Sequence, residues 1–150
     1  MATYVIHTTT EDETKEIARR LGDVVAPGTL LTLEGDLGAG KTTFVKGLAI
    51  GLSIQEIVNS PTFTIIKEYE GRLPLYHMDA YRLEGEEDDL GLDEYVYGQG
   101  VTVIEWPEYV EEVLPEQRVS IAIAYTENGR TLTFKAVGQI YEDLCREALS

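Results

Sequence analysis

The feature that most constrains the fold is a glycine-rich stretch, residues 35–42 (GDLGAGKT), which fits the pattern G-x-x-x-x-G-K-[ST]. The apolar segment Thr29–Leu33 precedes it, and helical periodicity begins at Lys41. Several backbone N–H groups and a helix N-terminus can converge on one anion in such a strand–loop–helix unit. Glycines allow the tight curl, because a side chain would block the approach. The sequence therefore predicts a loop that binds a polyphosphate.

Two side chains of this stretch are expected to act on the phosphates. Lys41 reaches the β- and γ-phosphates, and the Thr42 hydroxyl binds an Mg²⁺ ion that bridges them. Asp36 is interpreted as a loop residue, with orientation of bound water as its alternative role. The residues predicted to bind the nucleotide here are Gly35, Asp36, Leu37, Gly38, Ala39, Gly40, Lys41, Thr42 and Thr43.

Two carboxylates directly follow apolar strands and are the candidates for a metal partner. Asp79 follows residues 75–78, and Glu105 follows the more apolar residues 101–104. The carboxyl ends of strands in an open α/β sheet border the ligand crevice. Glu105 is therefore predicted to coordinate Mg²⁺, directly or through water. Asp79 is predicted as a second metal contact or as the group that orients the attacking water. A helix cap or a surface acid is the alternative for each.

Other residues near these segments have two open interpretations each. Thr62, in the segment Asn59–Phe63, is predicted to touch Mg²⁺ or the γ-phosphate, and an ordinary turn is the alternative. His77 is interpreted as a structural histidine rather than a ligand. Trp106 packs the crevice edge or meets a partner. Arg82 pairs with nearby acids or acts on phosphate or a partner.

Periodicity and turn signals predict an α/β fold with a mixed sheet flanked by helices in three layers. The glycine-rich motif makes this fold one of the P-loop NTPase type, and the length fits one domain over residues 1–150. Thr10 and Glu13 match a capping box, and Gly22 is placed to end the helix that follows. Asn128 and Gly129 predict a C-terminal hairpin. The predicted strands are Thr3–Thr8, Thr29–Leu33, Phe63–Tyr69, Leu73–Met78, Val101–Ile104, Arg118–Tyr125 and Thr131–Val137, and the later helices are Lys41–Leu52, one ending near Gly98, and a closing helix at Gln139–Leu149.

The charge balance limits how the chain can act on nucleic acid. It has 12 basic and 27 acidic residues, for a net charge of −15. Direct binding to phosphate backbones needs clustered Lys and Arg, so work on nucleic acid is expected to go through a partner. The run Glu84–Glu94 is interpreted as a solvated surface, or otherwise as a docking face for a basic partner. The single cysteine, the missing apolar span and the missing secretion signal indicate a cytoplasmic protein without a membrane segment.

Four blocks in this order and spacing resemble the bacterial TsaE family, also called YjeE. They are residues 35–43, 60–64 (SPTFT), 77–83 (HMDAYRL) and 103–108 (VIEWPE). The family consists of small P-loop ATPases needed for threonylcarbamoyladenosine synthesis in tRNA. The resemblance covers essentially the whole chain.

The resemblance implies a cytoplasmic, Mg²⁺-dependent ATPase that acts through the partner proteins TsaB and TsaD, the second of which modifies an adenine of tRNA. It implies that Thr42 and Glu105 bind Mg²⁺, that Asp79 is required, and that Thr10 and Arg130 contact the nucleotide. The predicted catalytic residues are Lys41, Asp79 and Glu105. No arginine is an obvious arginine finger, although Arg82 stays open as one, so hydrolysis by the chain alone is expected to be slow.

Three other functions compete with this one. A small-molecule kinase usually clamps its substrates with arginines, but the seven arginines here are scattered. A GTPase would carry an Asn/Thr-Lys-x-Asp motif, which neither Asn59 nor Asn128 begins. In the third alternative, the nucleotide only holds a surface in shape for a partner, and hydrolysis is incidental.

Overall fold

The computed structural model describes residues 1–36, 38–58, 66–80 and 92–149, with the side chains of residues 92 and 93 excepted. Several predictions lie outside these residues: those for Leu37, Thr62, Arg82, the segment Asn59–Phe63, the start of the strand Phe63–Tyr69 and most of the run Glu84–Glu94.

The chain forms a mixed α/β fold built on one sheet. Among the described residues, seven strands lie in the order β1-β7-β6-β2-β5-β4-β3. The inner pairs are parallel, and the outer pairs are antiparallel. The elements are β1 Ala2–Thr8, α1 Glu11–Val24, β2 Leu30–Glu34, α2 Lys41–Gly51, β3 Ile66–Tyr69, β4 Leu75–Asp79, α3 Leu92–Val96, β5 Val101–Glu105, β6 Arg118–Thr126, β7 Gly129–Val137 and α4 Gln139–Leu149. The predicted mixed sheet with flanking helices is confirmed.

Side-chain alternation on the central strands divides the core between the two faces of the sheet. Leu31 and Val103 join the larger apolar cluster, which also contains residues of α1, α2 and α4. Leu30 and Ile104 join a smaller cluster with Val96 of α3 and the 3₁₀ turns after β5. The face that carries α2 therefore also carries the glycine-rich loop. No described helix is long and apolar enough to span a membrane.

The central strand and the helix after the loop are as predicted. All five residues of β5 are buried, and β5 lies between β2 and β4. The predicted apolar stripe of the loop helix is also buried: Phe44, Val45, Leu48, Ala49 and Leu52.

The predicted cap of α1 is confirmed, but its predicted end is wrong. The Thr10 hydroxyl accepts a hydrogen bond from the backbone N–H of Glu13 at 3.1 Å. The helix continues past Gly22 to Val24. A Cβ at Gly22 would lie 2.4 Å from the carbonyl oxygen of Leu48 on α2. Gly22 therefore allows close packing of two helices and does not end one.

The predicted hairpin is present, with a different turn. Gly129 pairs with Thr126, so Glu127 and Asn128 form the turn. A Cβ at Gly129 would lie 2.0 Å from the carbonyl oxygen of Thr8 at the end of β1. The glycine is thus needed for the close approach of β1.

Candidate functional site

The glycine-rich loop connects β2 to α2 and has a backbone that favours glycine. Gly38 and Gly40 have φ angles of +81° and +114°, which L side chains rarely adopt. A Cβ at Gly35 would lie 2.6 Å from the carbonyl oxygen of Ile123 on β6. The loop is therefore held close to the sheet, and its last glycine precedes the first turn of α2, which contains Lys41, Thr42 and Thr43.

Lys41 points back over the loop and is withdrawn from solvent. The residue is 5% exposed, and its Nζ donates a hydrogen bond to the carbonyl oxygen of Gly35 at 2.8 Å. The same Nζ lies 3.7 Å from the centroid of the Trp106 ring. Burial lowers the pKa of Lys41, and four nearby carboxylates act in the opposite direction: Glu105, Asp79, Glu108 and Asp36. The ammonium group thus lies near acidic side chains and contacts the backbone at the start of the loop.

The two candidate metal carboxylates end neighbouring parallel strands. Asp79 on β4 is in register with Glu105 on β5, and Glu105 is in register with Leu33 on β2. Glu105 is 6% exposed. The structure therefore places Glu105 beside the strand that leads into the loop, and Asp79 one strand further along the same edge of the sheet, as the strand-end argument predicts.

His77 is a contact of the site that the sequence did not reveal. The ring is fully buried, and its Nε2 lies 2.5 Å from Oε2 of Glu105. In the tautomer with its proton on Nε2, the ring donates this hydrogen bond to the carboxylate oxygen. Alternation along β4 was the available signal, because His77 and Asp79 share the face of the sheet that carries Glu105. The side-chain pairing itself needed the strand register.

Trp106 follows Glu105 and lies at the crevice edge, as one of its two interpretations predicts; contact with a partner, the other interpretation, stays a prediction. Its backbone is left-handed, with φ of +59°, and its N–H donates to the carbonyl oxygen of Leu33 at 3.3 Å. This turn brings the ring against Lys41.

Two side chains of the β6–β7 hairpin hold the loop from the opposite side. The Tyr125 hydroxyl donates to the carbonyl oxygen of Gly38. Arg130 Nε donates to the carbonyl oxygen of Ala39 at 2.9 Å, and the guanidinium carbon lies 4.1 Å from the Tyr125 ring centroid. Tyr125 was not predicted as a site residue, because nothing in its local sequence marks it.

The remaining predicted residues, Thr10 and Asp36, lie on or next to the segments described above. Thr10 follows β1 and caps α1, and Thr8 is in register with Arg130 on β7. Asp36 is an exposed loop residue. The described residues contain no group of three or more His, Cys, Asp or Glu side chains that could hold a metal ion by themselves.

A comparison with known families identifies the lineage of this chain. The family model described as "Threonylcarbamoyl adenosine biosynthesis protein TsaE" matches residues 8–132. The chain belongs to the TsaE family. The resemblance inferred from the four sequence blocks is thereby confirmed.

Relatives match this chain over most of its length. A TsaE protein of Bacillus subtilis (strain 168), named as a tRNA threonylcarbamoyladenosine biosynthesis protein, is 59% identical over 142 residues, covering 93% of this chain and 90% of that protein. A TsaE protein of Treponema pallidum (strain Nichols) with the same name is 53% identical over 111 residues, covering 73% of this chain and 82% of that protein. The crystal structure of Bacillus subtilis YdiB matches with a TM-score of 0.87 and 51% identity, covering 98% of this chain and 94% of that one.

Proposed function

We propose that this chain binds and hydrolyses ATP with Mg²⁺ in the loop of residues 35–43, and thereby supports threonylcarbamoyl transfer to an adenine of tRNA in the cytoplasm. The observation that carries the proposal is the convergence of Lys41, Asp79 and Glu105 on one glycine-rich loop at the ends of β2, β4 and β5. Membership of the TsaE family supports the biosynthetic role.

The oxygen donors at the loop suit Mg²⁺ held together with phosphates. Mg²⁺ usually binds proteins through one or two carboxylates plus substrate phosphates and water. Thr42, Glu105 and Asp79 supply a hydroxyl and two carboxylates at the correct edge of the sheet. When bound, the ion neutralises charge on the β- and γ-phosphates.

The chain itself would orient the triphosphate and stabilise its charge. Backbone N–H groups of the loop and the N-terminus of α2 attract the phosphates. Lys41 is held by Gly35 and Trp106, and in our proposal it leaves the Gly35 carbonyl to contact the β- and γ-phosphates. Asp79 orients the attacking water or contacts the metal, and Thr10, Thr62 and Arg130 are further proposed nucleotide contacts.

The proposed partners are TsaB and TsaD, with tRNA met only through them. A net charge of −15 opposes a direct grip on a phosphate backbone. Among the described residues, the arginine at the loop, Arg130, is bound to a backbone carbonyl and stacked on Tyr125. We therefore expect slow hydrolysis by the isolated chain and faster hydrolysis when the partners complete the site.

The biochemical test is phosphate release by the purified chain from ATP and from GTP, with Mg²⁺ or with EDTA, and with or without TsaB and TsaD. We expect Mg²⁺-dependent hydrolysis of ATP that rises when both partners are added. Transfer of the phosphoryl group to a small acceptor, a preference for GTP, or equal rates with and without the partners would contradict the proposal.

A further inference from the structure

We propose that His77 is a positioning residue that fixes the Glu105 carboxylate for metal coordination by donating its Nε2–H to Oε2. The inference rests on the proposed function, in which Glu105 contacts an Mg²⁺ ion bound with the nucleotide. It assigns a role to a buried polar side chain for which the proposed function has no other use.

The strand ladder places the two side chains in a fixed relation. His77 on β4 is in register with Val103 on β5, and Asp79 is in register with Glu105. His77 therefore lies two residues before the end of β4, on the same face of the sheet as both carboxylates. The imidazole is fully buried, and the Nε2–Oε2 distance is 2.5 Å. A strand of the sheet thus holds the donor. Because both side chains are buried, water cannot readily replace either partner of the hydrogen bond.

The hydrogen-bond inventory of the ring points to the same role. Within the described part of the chain, Nδ1 of His77 is buried without a hydrogen-bond partner. The only hydrogen bond of the ring there is thus the one to Glu105. Because the bond engages Oε2, it sets the rotation of the carboxylate and so the direction of Oε1. Bonds of this kind orient a ligand for its metal and raise the affinity for it.

The test compares His77→Leu, which has no donor, with His77→Gln, whose side-chain amide N–H can replace Nε2–H. His7→Gln is the control, because His7 is the other histidine and lies exposed on β1. For the purified full chain, Mn²⁺ binding to the protein–ADP complex is measured by electron paramagnetic resonance, and ADP affinity is measured separately in EDTA. Thermal melting checks that each variant is folded.

We expect His77→Leu to weaken Mn²⁺ binding by about 10-fold or more. Metal-free ADP affinity should stay unchanged, and His77→Gln should recover most of the loss. Wild-type Mn²⁺ affinity in His77→Leu would overturn the inference, as would equal losses in folded His77→Leu and His77→Gln. If the wild-type chain itself shows no metal-dependent nucleotide binding, the proposed function fails; if it does and His77→Leu matches it, only the inference fails.

A second measurement needs no variant of His77. Nitrogen-15 spectra of the wild-type chain contain the signals of two histidine rings, and the His7→Gln variant identifies those of His7. We expect the His77 ring to carry a proton on Nε2 and its Nε2 signal to move in Glu105→Gln. A ring that carries its only proton on Nδ1, or an Nε2 signal indifferent to Glu105→Gln, would overturn the proposal.

Discussion

The two sides of the glycine-rich loop differ in the burial and the charge of the side chains that contact each other or the loop. On the inner side, Lys41, His77 and Glu105 are buried and bind one another or the loop through charged or charge-assisted contacts. On the outer side, Tyr125 is exposed and Arg130 is half-buried, and both bind carbonyl oxygens of the loop. Breaking a hydrogen bond on the inner side leaves a buried polar group without water, whereas solvent can replace much of a bond broken on the outer side. We infer that the inner side carries the chemistry and the outer side the shape of the loop.

The largest effect should come from Lys41→Ala on the inner side. It removes the ammonium group that we assign to the β- and γ-phosphates, and loss of such a group costs about 100- to 1000-fold in turnover. Phosphate release from saturating ATP measures it. Lys46→Ala is the matched control, since Lys46 is exposed on the same helix and should keep the wild-type rate.

Glu105→Gln should separate hydrolysis from binding on the same inner side. The amide keeps the size of the side chain but removes the charge that we assign to Mg²⁺ coordination. We therefore expect turnover to fall by about 100-fold, while ADP affinity in EDTA stays unchanged. Glu112→Gln removes a carboxylate from an exposed 3₁₀ turn and should change neither quantity. Wild-type turnover in Glu105→Gln would remove Glu105 from the mechanism.

Tyr125→Phe probes the outer side and should have a modest effect. It deletes the hydrogen bond to the Gly38 carbonyl and keeps the ring under Arg130. Removal of a bond of this kind costs about 1 kcal/mol, so ADP affinity should fall about fivefold. Tyr97→Phe, at a tyrosine that is 71% exposed, is the control. A loss of turnover in Tyr125→Phe as large as that in Lys41→Ala would erase the difference between the two sides.

The smallest effect is expected on the packing of the hydrophobic core, which variants on either side of the loop should leave intact. Burial raises the pKa of the Cys145 thiol on α4 from 9.0 to about 11. At about pH 8, roughly one such thiol in a thousand is ionised, against about one in ten for the unshifted group. Labelling of Cys145 by iodoacetamide should therefore be slow in the folded chain, where the thiol is fully buried, and should speed up on unfolding. Lys41→Ala and Tyr125→Phe should both keep the slow rate, and fast labelling in either would indicate a disturbed core.

The sequence predicted the parts of the site that depend on local pattern. The glycine spacing around Lys41 predicted the loop, and the apolar run before Glu105 predicted a buried central strand. Both signals lie within a few consecutive residues. Asp79 and Glu105 could be placed at one edge because parallel strands end together.

The interactions that the sequence did not predict depend on register and packing between distant segments. The bonds of His77 to Glu105 and of Tyr125 to Gly38 need strand pairing that no local pattern specifies. Gly22 illustrates the same limit, because a glycine near a helix end resembles a stop signal until the approach of α2 is known. Local pattern therefore predicted the loop, and tertiary structure was needed to distinguish its two sides.

The most direct test of the central claim is multiple-turnover threonylcarbamoylation of tRNA by purified TsaB and TsaD, with wild-type chain, Lys41→Ala, Lys46→Ala or no addition. The account predicts that wild type and Lys46→Ala raise the number of tRNAs modified per TsaD, and that Lys41→Ala does not. Equal turnover with and without the wild-type chain, or full support by Lys41→Ala, would contradict it.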